Sequence, residues 1–229
     1  MIIKQSKRLT NLSITNNINL FADLLSKRLK NGLPGSEAQD IMAPSNRREL
    51  VKLSTDADKA RPSSILIILY PDSMGDISTV FIKRVEYPGV HSGQIAFPGG
   101  KFEMEDTSLL QTALRETKEE IGLEIPENLV AGKLTNLYVP PSNYIISPYV
   151  AVLDKIPLLN PDFIEVAEVF SVPLSHFLSP ESRVVHSYKT NSGIEIPIPG
   201  FTFGNYFIWG ATAMIFSEFL EVIKSINNN

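Results

Sequence analysis

The chain has 229 residues, 43% of them hydrophobic, which suits one domain with a full core. Its formal net charge of −4 offers no basic field to a polyanionic nucleic acid, and a small anionic substrate would need a cation to approach an acidic site. Cysteine is absent, so disulfides, thiolate metal sites and thiol nucleophiles are excluded.

The apolar runs, such as residues 65 to 69, fall far short of a membrane span, and the opening MIIKQSKRLT lacks the apolar segment of a secretory signal. The expected setting is the cytoplasm, with neither a membrane nor a nucleic acid as partner. Residues 1 to 17 are polar and without period, and read as an N-terminal arm; residues 18 to 229 read as a single domain. Leu20, Phe21, Leu24, Leu25 and Leu29 predict a helix over 18 to 29, which Leu33, Pro34 and Gly35 end. Short helical pieces and turns fill 35 to 59.

Residues 64 to 70 predict a buried strand, and a turn over 71 to 76 leads to a second strand over 78 to 83. Further strands are expected at 130 to 138, 145 to 153 and 164 to 172, with Pro140 and Pro141 marking a turn between the first two. Residues 183 to 189 and 194 to 198 predict a hairpin around Asn191, Ser192 and Gly193. Met214, Phe216, Leu220 and Ile223 predict a closing helix over 208 to 223, with Trp209 packed at its start. Strands on both sides of a central helix, with helices at the ends, predict an α/β fold with helices packed on a mixed sheet.

The central helix carries the most chemical information. At 100° per residue, Glu120 lies about 40° from Glu116 and Glu119 about 60° the other way, so three carboxylates share one side. Leu110, Leu114, Thr117 and Ile121 form the anchoring stripe. Ser108 and Gln111 have capping-box spacing, Asp106 suits the positive end, and Gly122 suits a left-handed cap. On an arbitrary helix such a face reads first as solvated. Here it follows Gly99 and Gly100, where the main chain can approach an ion closely. Clustered carboxylates repel unless a cation sits among them, and oxygen ligands suit Mg²⁺ or Mn²⁺, with a carbonyl of Gly99 or Gly100 as a further ligand.

The stretch from Arg115 to Leu123, RETKEEIGL, resembles the signature of the Nudix hydrolases, G-x5-E-x7-R-E-U-x-E-E-x-G-U, with Thr117 at the aliphatic position U. The loop from Gly100 to Arg115 is one residue longer than usual, which puts the upstream acid on Asp106, paired with Arg115; Glu103 and Glu105 read as solvated neighbours. The segments HSGQIAFPGG, from His91 to Gly100, and TALRE, from Thr112 to Glu116, resemble the coenzyme A diphosphatase branch, which also carries the longer loop. Similar elements at 165 to 174 and 208 to 213 extend the resemblance from about residue 34 to 220. A leucine-arginine pair common before the histidine is replaced by Pro88, Gly89 and Val90.

That resemblance implies the Nudix fold, a mixed sheet sandwiched between helices, and metal-dependent hydrolysis of a diphosphate-bridged small molecule. Coenzyme A or acyl-coenzyme A is the first expectation. ADP-ribose or NADH is the enzyme alternative, and a non-catalytic nucleotide-binding module the alternative of another class. It places Glu116 and Glu120 at Mg²⁺ or Mn²⁺, with Glu119 as a further ligand or a water orienter and the Gly100 carbonyl beside them; which carboxylate is the general base stays open, Glu168 being the first candidate and Glu165 the second. Gly99, Asp106 and Arg115 hold the loop; Arg84, His91 and Gln94 face substrate, with His91 open to a purely loop-capping role. Lys83 lies beside Arg84, and Tyr87 and Phe97 are candidates to contact the base or pantetheine arm, with core packing the default. His176 and His186 lack partner spacing for zinc. The oligomeric state is left open, a homodimer being one option.

Overall fold

The computed structural model describes residues 17–86, 88, 91–189, 193 and 195–227. Residues 1–16 of the expected arm, Tyr87, Gly89, Val90, residues 190–192 and Ile194, where the hairpin connection is expected, fall outside them. The first helix, α1 (Ile18–Lys30), starts where the Asn17 side chain accepts from the Leu20 N–H, and buries Phe21, Leu25 and Leu29. Two short helices follow, α2 (Gly35–Asp40) and α3 (Arg47–Leu53).

Strands β1 (Arg61–Pro71) and β2 (Ile77–Arg84) form the expected hairpin, followed by β3 (Ile95–Ala96) and β4 (Gly99–Lys101). After the acidic helix α4 (Leu109–Ile121) come β5 (Val130–Lys133), β6 (Leu137–Val139), β7 (Tyr144–Val152) and β8 (Val166–Pro173). These eight strands make one sheet in which β1 and β7 pair in parallel from Arg61 opposite Tyr144 to Leu69 opposite Val152. The other pairings are antiparallel, with β4 on β1, β8 on β2, and β5 and β6 on β7. Beyond α5 (Leu174–Leu178), strands β9 (Arg183–Lys189), β10 (Glu195–Phe203) and β11 (Tyr206–Trp209) form a second antiparallel sheet, and α6 (Gly210–Asn227) closes the chain.

Alternation along the central strands divides the core in two. Leu66, Ile68, Val80 and Ile82 face α4 through Ala113 and Ile121. On the opposite face Ile67, Leu69 and Phe81 meet α1, α6 and the second sheet. Buried Phe81, Phe97, Phe177, Phe201 and Phe216 interlock there, with ring centroids 4.7 to 5.8 Å apart. The architecture is therefore the mixed sheet between helices that the sequence implied.

Three local differences have physical causes. The run from 130 to 138 splits into β5 and β6 because the Thr135 N–H and hydroxyl turn to Glu218 on α6 instead of a strand neighbour. Glu218 is fully buried, and also accepts from the Gly35 N–H and the Gln39 amide, which pins α2 to α6. Ile208 and Trp209 belong to β11, not to the last helix, because the chain turns at Gly210, the first residue of α6, whose φ is 63°. Finally, β8 begins at Val166, since Asp162 first caps a turn by accepting from the N–H groups of Ile164, Glu165 and Val166. No helix among the described residues is long and apolar enough to cross a membrane.

Candidate active site

Local chemistry fixes α4. The Ser108 hydroxyl accepts from the Gln111 N–H at 3.2 Å, and Gly122 ends the helix in the left-handed conformation at φ 67°. The Gln111 side chain does not complete a capping box; it donates to Glu127. Thr117, at the position where an aliphatic residue is usual, is fully buried because its hydroxyl donates to the Ala113 carbonyl at 2.7 Å.

The carboxylate face is more buried than an amphipathic helix would make it. Glu120 is wholly enclosed and Glu116 is buried, while the Glu119 side chain remains 56% exposed. The glycines of β4 make the room. A side chain at Gly100 would collide with the Glu116 carboxylate, and one at Gly99, where φ is 150°, with the Ser64 carbonyl and Ile65. The Gly99 N–H donates to Glu120 Oε2 at 2.8 Å.

Arg115 organises the adjacent loop. Nε and Nη2 donate to the two oxygens of Asp106 at 2.9 and 3.0 Å, and Nη2 also reaches the Lys101 carbonyl at 3.1 Å. Nη1 donates to Glu116 at 3.0 Å and to Glu119 at 2.8 Å. Asp106 accepts further from the Thr112 hydroxyl and the Glu103 N–H, so one arginine and one aspartate tie the long loop to the helix.

These contacts set the charges. The Arg115 hydrogen bonds hold the Asp106 carboxyl down to about 2, while Asp106 raises the Arg115 guanidinium further. Burial pushes Glu120 up to about 7; Arg84 and the Gly99 N–H oppose it, and the nearby charges of Glu116 and Glu165 add to it. Burial also raises Glu116, against the pull of Arg115.

The site opens into a cavity of about 930 Å³ whose walls include Arg84, His91, Gln94, Gly99, Gly100, Arg115, Glu116 and Glu119. His91 Nδ1 lies 3.0 Å from the Gln94 side-chain oxygen, and Arg84 Nη1 stands 3.3 Å from Glu120 Oε1. Phe97 touches this cavity but is only 2% exposed, stacked on Phe81 as a core residue.

Glu168 is placed elsewhere. Alternation in β8 puts it on the same side as Phe170, away from α4, where Tyr206 stacks on Phe170 and donates to the Glu168 carboxylate. Glu165, held in the Asp162 turn before the strand, lines the cavity instead. His176 is 2.6 Å from the Thr202 carbonyl and His186 stacks on Phe207; neither lines the cavity. Arg47, which no local pattern singled out, does line it.

A divalent cation fits part of this arrangement. Glu120 Oε1 is buried and accepts no well-aligned hydrogen bond among the described residues, its neighbour being the Arg84 guanidinium at 3.3 Å, and Gly100 leaves space over Glu116. Carboxylate oxygens are the ligand type that Mg²⁺ and Mn²⁺ prefer. The expected third carboxylate, Glu119, lines the cavity but is 56% exposed and paired with Arg115; among the described residues no three acidic or imidazole groups converge on one point.

The NUDIX domain family model matches residues 60–189, which span β1 to β9. The chain belongs to the Nudix family. It is 31% identical to the mitochondrial coenzyme A diphosphatase NUDT8 of Homo sapiens over 179 residues, covering 77% of this chain and 76% of that protein. It is 38% identical over 144 residues to the uncharacterized Nudix hydrolase NudL of Yersinia pestis (strain Pestoides F), covering 62% of this chain and 70% of that one. A MutT/nudix family protein from Enterococcus faecalis shares the fold with a TM-score of 0.53 at 18% identity, over 82% of this chain and 74% of that one. As a Nudix hydrolase, the chain is of a kind that acts on small molecules containing a diphosphate.

Proposed function

We propose that this Nudix hydrolase cleaves the diphosphate of coenzyme A or an acyl-coenzyme A, giving 3′,5′-ADP and 4′-phosphopantetheine or its acyl form. The observation that carries the reading is the pair of buried carboxylates, Glu116 and Glu120, folded over Gly100 and Gly99 at one end of a large cavity. Two acids held out of water against their own repulsion suit a site that binds a cation together with a phosphorylated substrate. Similarity to a coenzyme A diphosphatase over three-quarters of the chain supports the substrate class.

In this reading Glu116 and Glu120 hold Mg²⁺ or Mn²⁺, with the Gly100 main chain close by. The ion, when bound, neutralises charge on the diphosphate oxygens and makes an attacking water more acidic. Glu165 lines the cavity and would be placed to accept a proton from an attacking water, a role the geometry suits better than Glu168. Arg115 keeps Glu116 and Glu119 in place, and Arg84, His91 and Gln94 line the path of the substrate.

The test is turnover of coenzyme A, acyl-coenzyme A, ADP-ribose, NADH and nucleoside triphosphates by purified protein, with Mg²⁺, Mn²⁺ or chelator. Release of 3′,5′-ADP from coenzyme A, stopped by chelator, is the expected result. A clear preference for ADP-ribose would overturn the substrate assignment, and turnover of none would point to a binding module.

A further inference from the structure

The cavity has a second end. Strands β4, β1, β7 and β6 lie side by side, so at about 4.8 Å per strand, with the offset along them, β6 stands on the order of 15 Å from Gly100. The cavity walls contributed by β6, its neighbour β7 and α3 include Val139, Ile146 and Leu50. Arg47, at the start of α3, interrupts this apolar lining.

Its side chain is only 17% exposed. Nη2 donates to the Tyr138 carbonyl at 2.9 Å, and Asp40 comes no nearer than 4.0 Å, too far for a hydrogen bond. Burial lowers the guanidinium pKa, and the charge of Asp40 opposes that shift as the smaller influence. A guanidinium carries five N–H donors, and among the described residues one carbonyl is its close acceptor. Holding a desolvated cation in an apolar wall is costly, so a ligand acceptor that completes its hydrogen bonds would offset part of that cost.

Distance selects the acceptor. If the diphosphate of coenzyme A sits at the carboxylates, its 3′-phosphate lies one ribose away, on the order of 6–7 Å, well short of β6. The pantetheine arm reaches further, and its distal amide carbonyl lies on the order of 12 Å from the phosphorus when extended. Its methyl and methylene groups match the apolar walls. The geometry points to Arg47 as the residue that reads the pantetheine arm, donating to its distal amide carbonyl and so separating coenzyme A from other diphosphates. This assignment rests on the coenzyme A reading above.

Full-length wild type, Arg47→Gln and the control Arg48→Gln, whose native side chain is 87% exposed, are compared with Mg²⁺ present. Because the contact lies far from the reacting phosphorus, it contributes equally to ground and transition states. Arg47→Gln is therefore expected to raise KM about tenfold or more for coenzyme A and dephospho-coenzyme A alike, with kcat within about twofold. As product inhibitors, 4′-phosphopantetheine should weaken by the same factor and 3′,5′-ADP should be unchanged. Arg48→Gln should match wild type. Should Arg47→Gln fail to fold by circular dichroism, Arg47→Lys, which keeps the charge and loses the planar fork, carries the same measurements. An unchanged KM, a loss confined to coenzyme A over dephospho-coenzyme A, or equal weakening of both products overturns the assignment alone. A wild-type enzyme that ignores coenzyme A overturns the reading beneath it, and the assignment with it.

Discussion

The two faces of the main sheet are built on opposite terms. Against α6, buried phenylalanines interlock, and the buried Glu218 of that helix is met by donors from Gly35, Gln39 and Thr135. Against α4, a smaller apolar cluster shares its helix with two buried carboxylates. One face stores stability and satisfies the acid it buries; the other buries carboxylates, of which Glu120 has its hydrogen bonds incomplete. A protein of marginal net stability can keep such charges only if packing elsewhere compensates.

The largest effect should come from breaking the storing face. Phe177 on α5 is fully buried against Phe81, Phe201 and Phe216, and does not line the cavity. Phe177→Ala should cost about 3–5 kcal/mol in urea unfolding, while the folded fraction keeps its kcat within about twofold. Comparable loss of activity per folded molecule would show that the faces are not separable.

Next comes the working face. Glu120 titrates near 7, above its ordinary value of 4.5, so its contribution to folding is fully present below pH 4.5 and is lost as pH rises through 7. Glu120→Gln should therefore stabilise the metal-free protein at pH 8 by on the order of 3 kcal/mol, remove that part of the pH slope, and lower activity at least about 100-fold. A variant of full activity, or one no more stable than wild type at pH 8, would contradict the comparison. Mg²⁺ should raise the melting temperature of wild type more at pH 8 than at pH 5, because the ionised carboxylate is the ligand.

Asp106 shows the reverse sign. Held down to about 2 by Arg115, it contributes stability above pH 4 that is lost as pH falls through 2. Denaturation at pH 6 should find Asp106→Asn weaker by on the order of 1–2 kcal/mol, with the gap closing toward pH 2. The smallest effect belongs to Glu168, which faces Tyr206 on the storing side. Glu168→Gln should leave kcat within about twofold, whereas Glu165→Gln should lower it about tenfold or more. Equal losses would return Glu168 to the site.

What local pattern carries, and what it does not, follows the same division. The caps at Ser108 and Gly122, the burial of Ile121 and the hairpin of β1 and β2 were legible because neighbours in sequence decide them. That two glutamates sink while Glu119 stays half exposed was not, because it depends on where β4 crosses the helix. Glu165 and Glu168 are three residues apart. Which one faces the cavity is decided by the Asp162 turn and by the irregular pairing at Lys83 and Arg84, neither of which leaves a motif. Arg47 was invisible for a plainer reason: its partner Tyr138 lies 91 residues away.

The parallel pairing of β1 with β7 has a kinetic meaning. Ser64 and Ser147, hydrogen-bonded across it, are 83 residues apart, so closing that pair costs loop entropy before any contact repays it. Strand β4, which carries the two glycines, hangs on one edge of the pair, and β6, which holds Arg47, on the other. Neither end of the cavity exists until that long-range step is complete. A chain still emerging during synthesis has its acidic helix early, but no catalyst until Val152 has been made and seated beside Leu69.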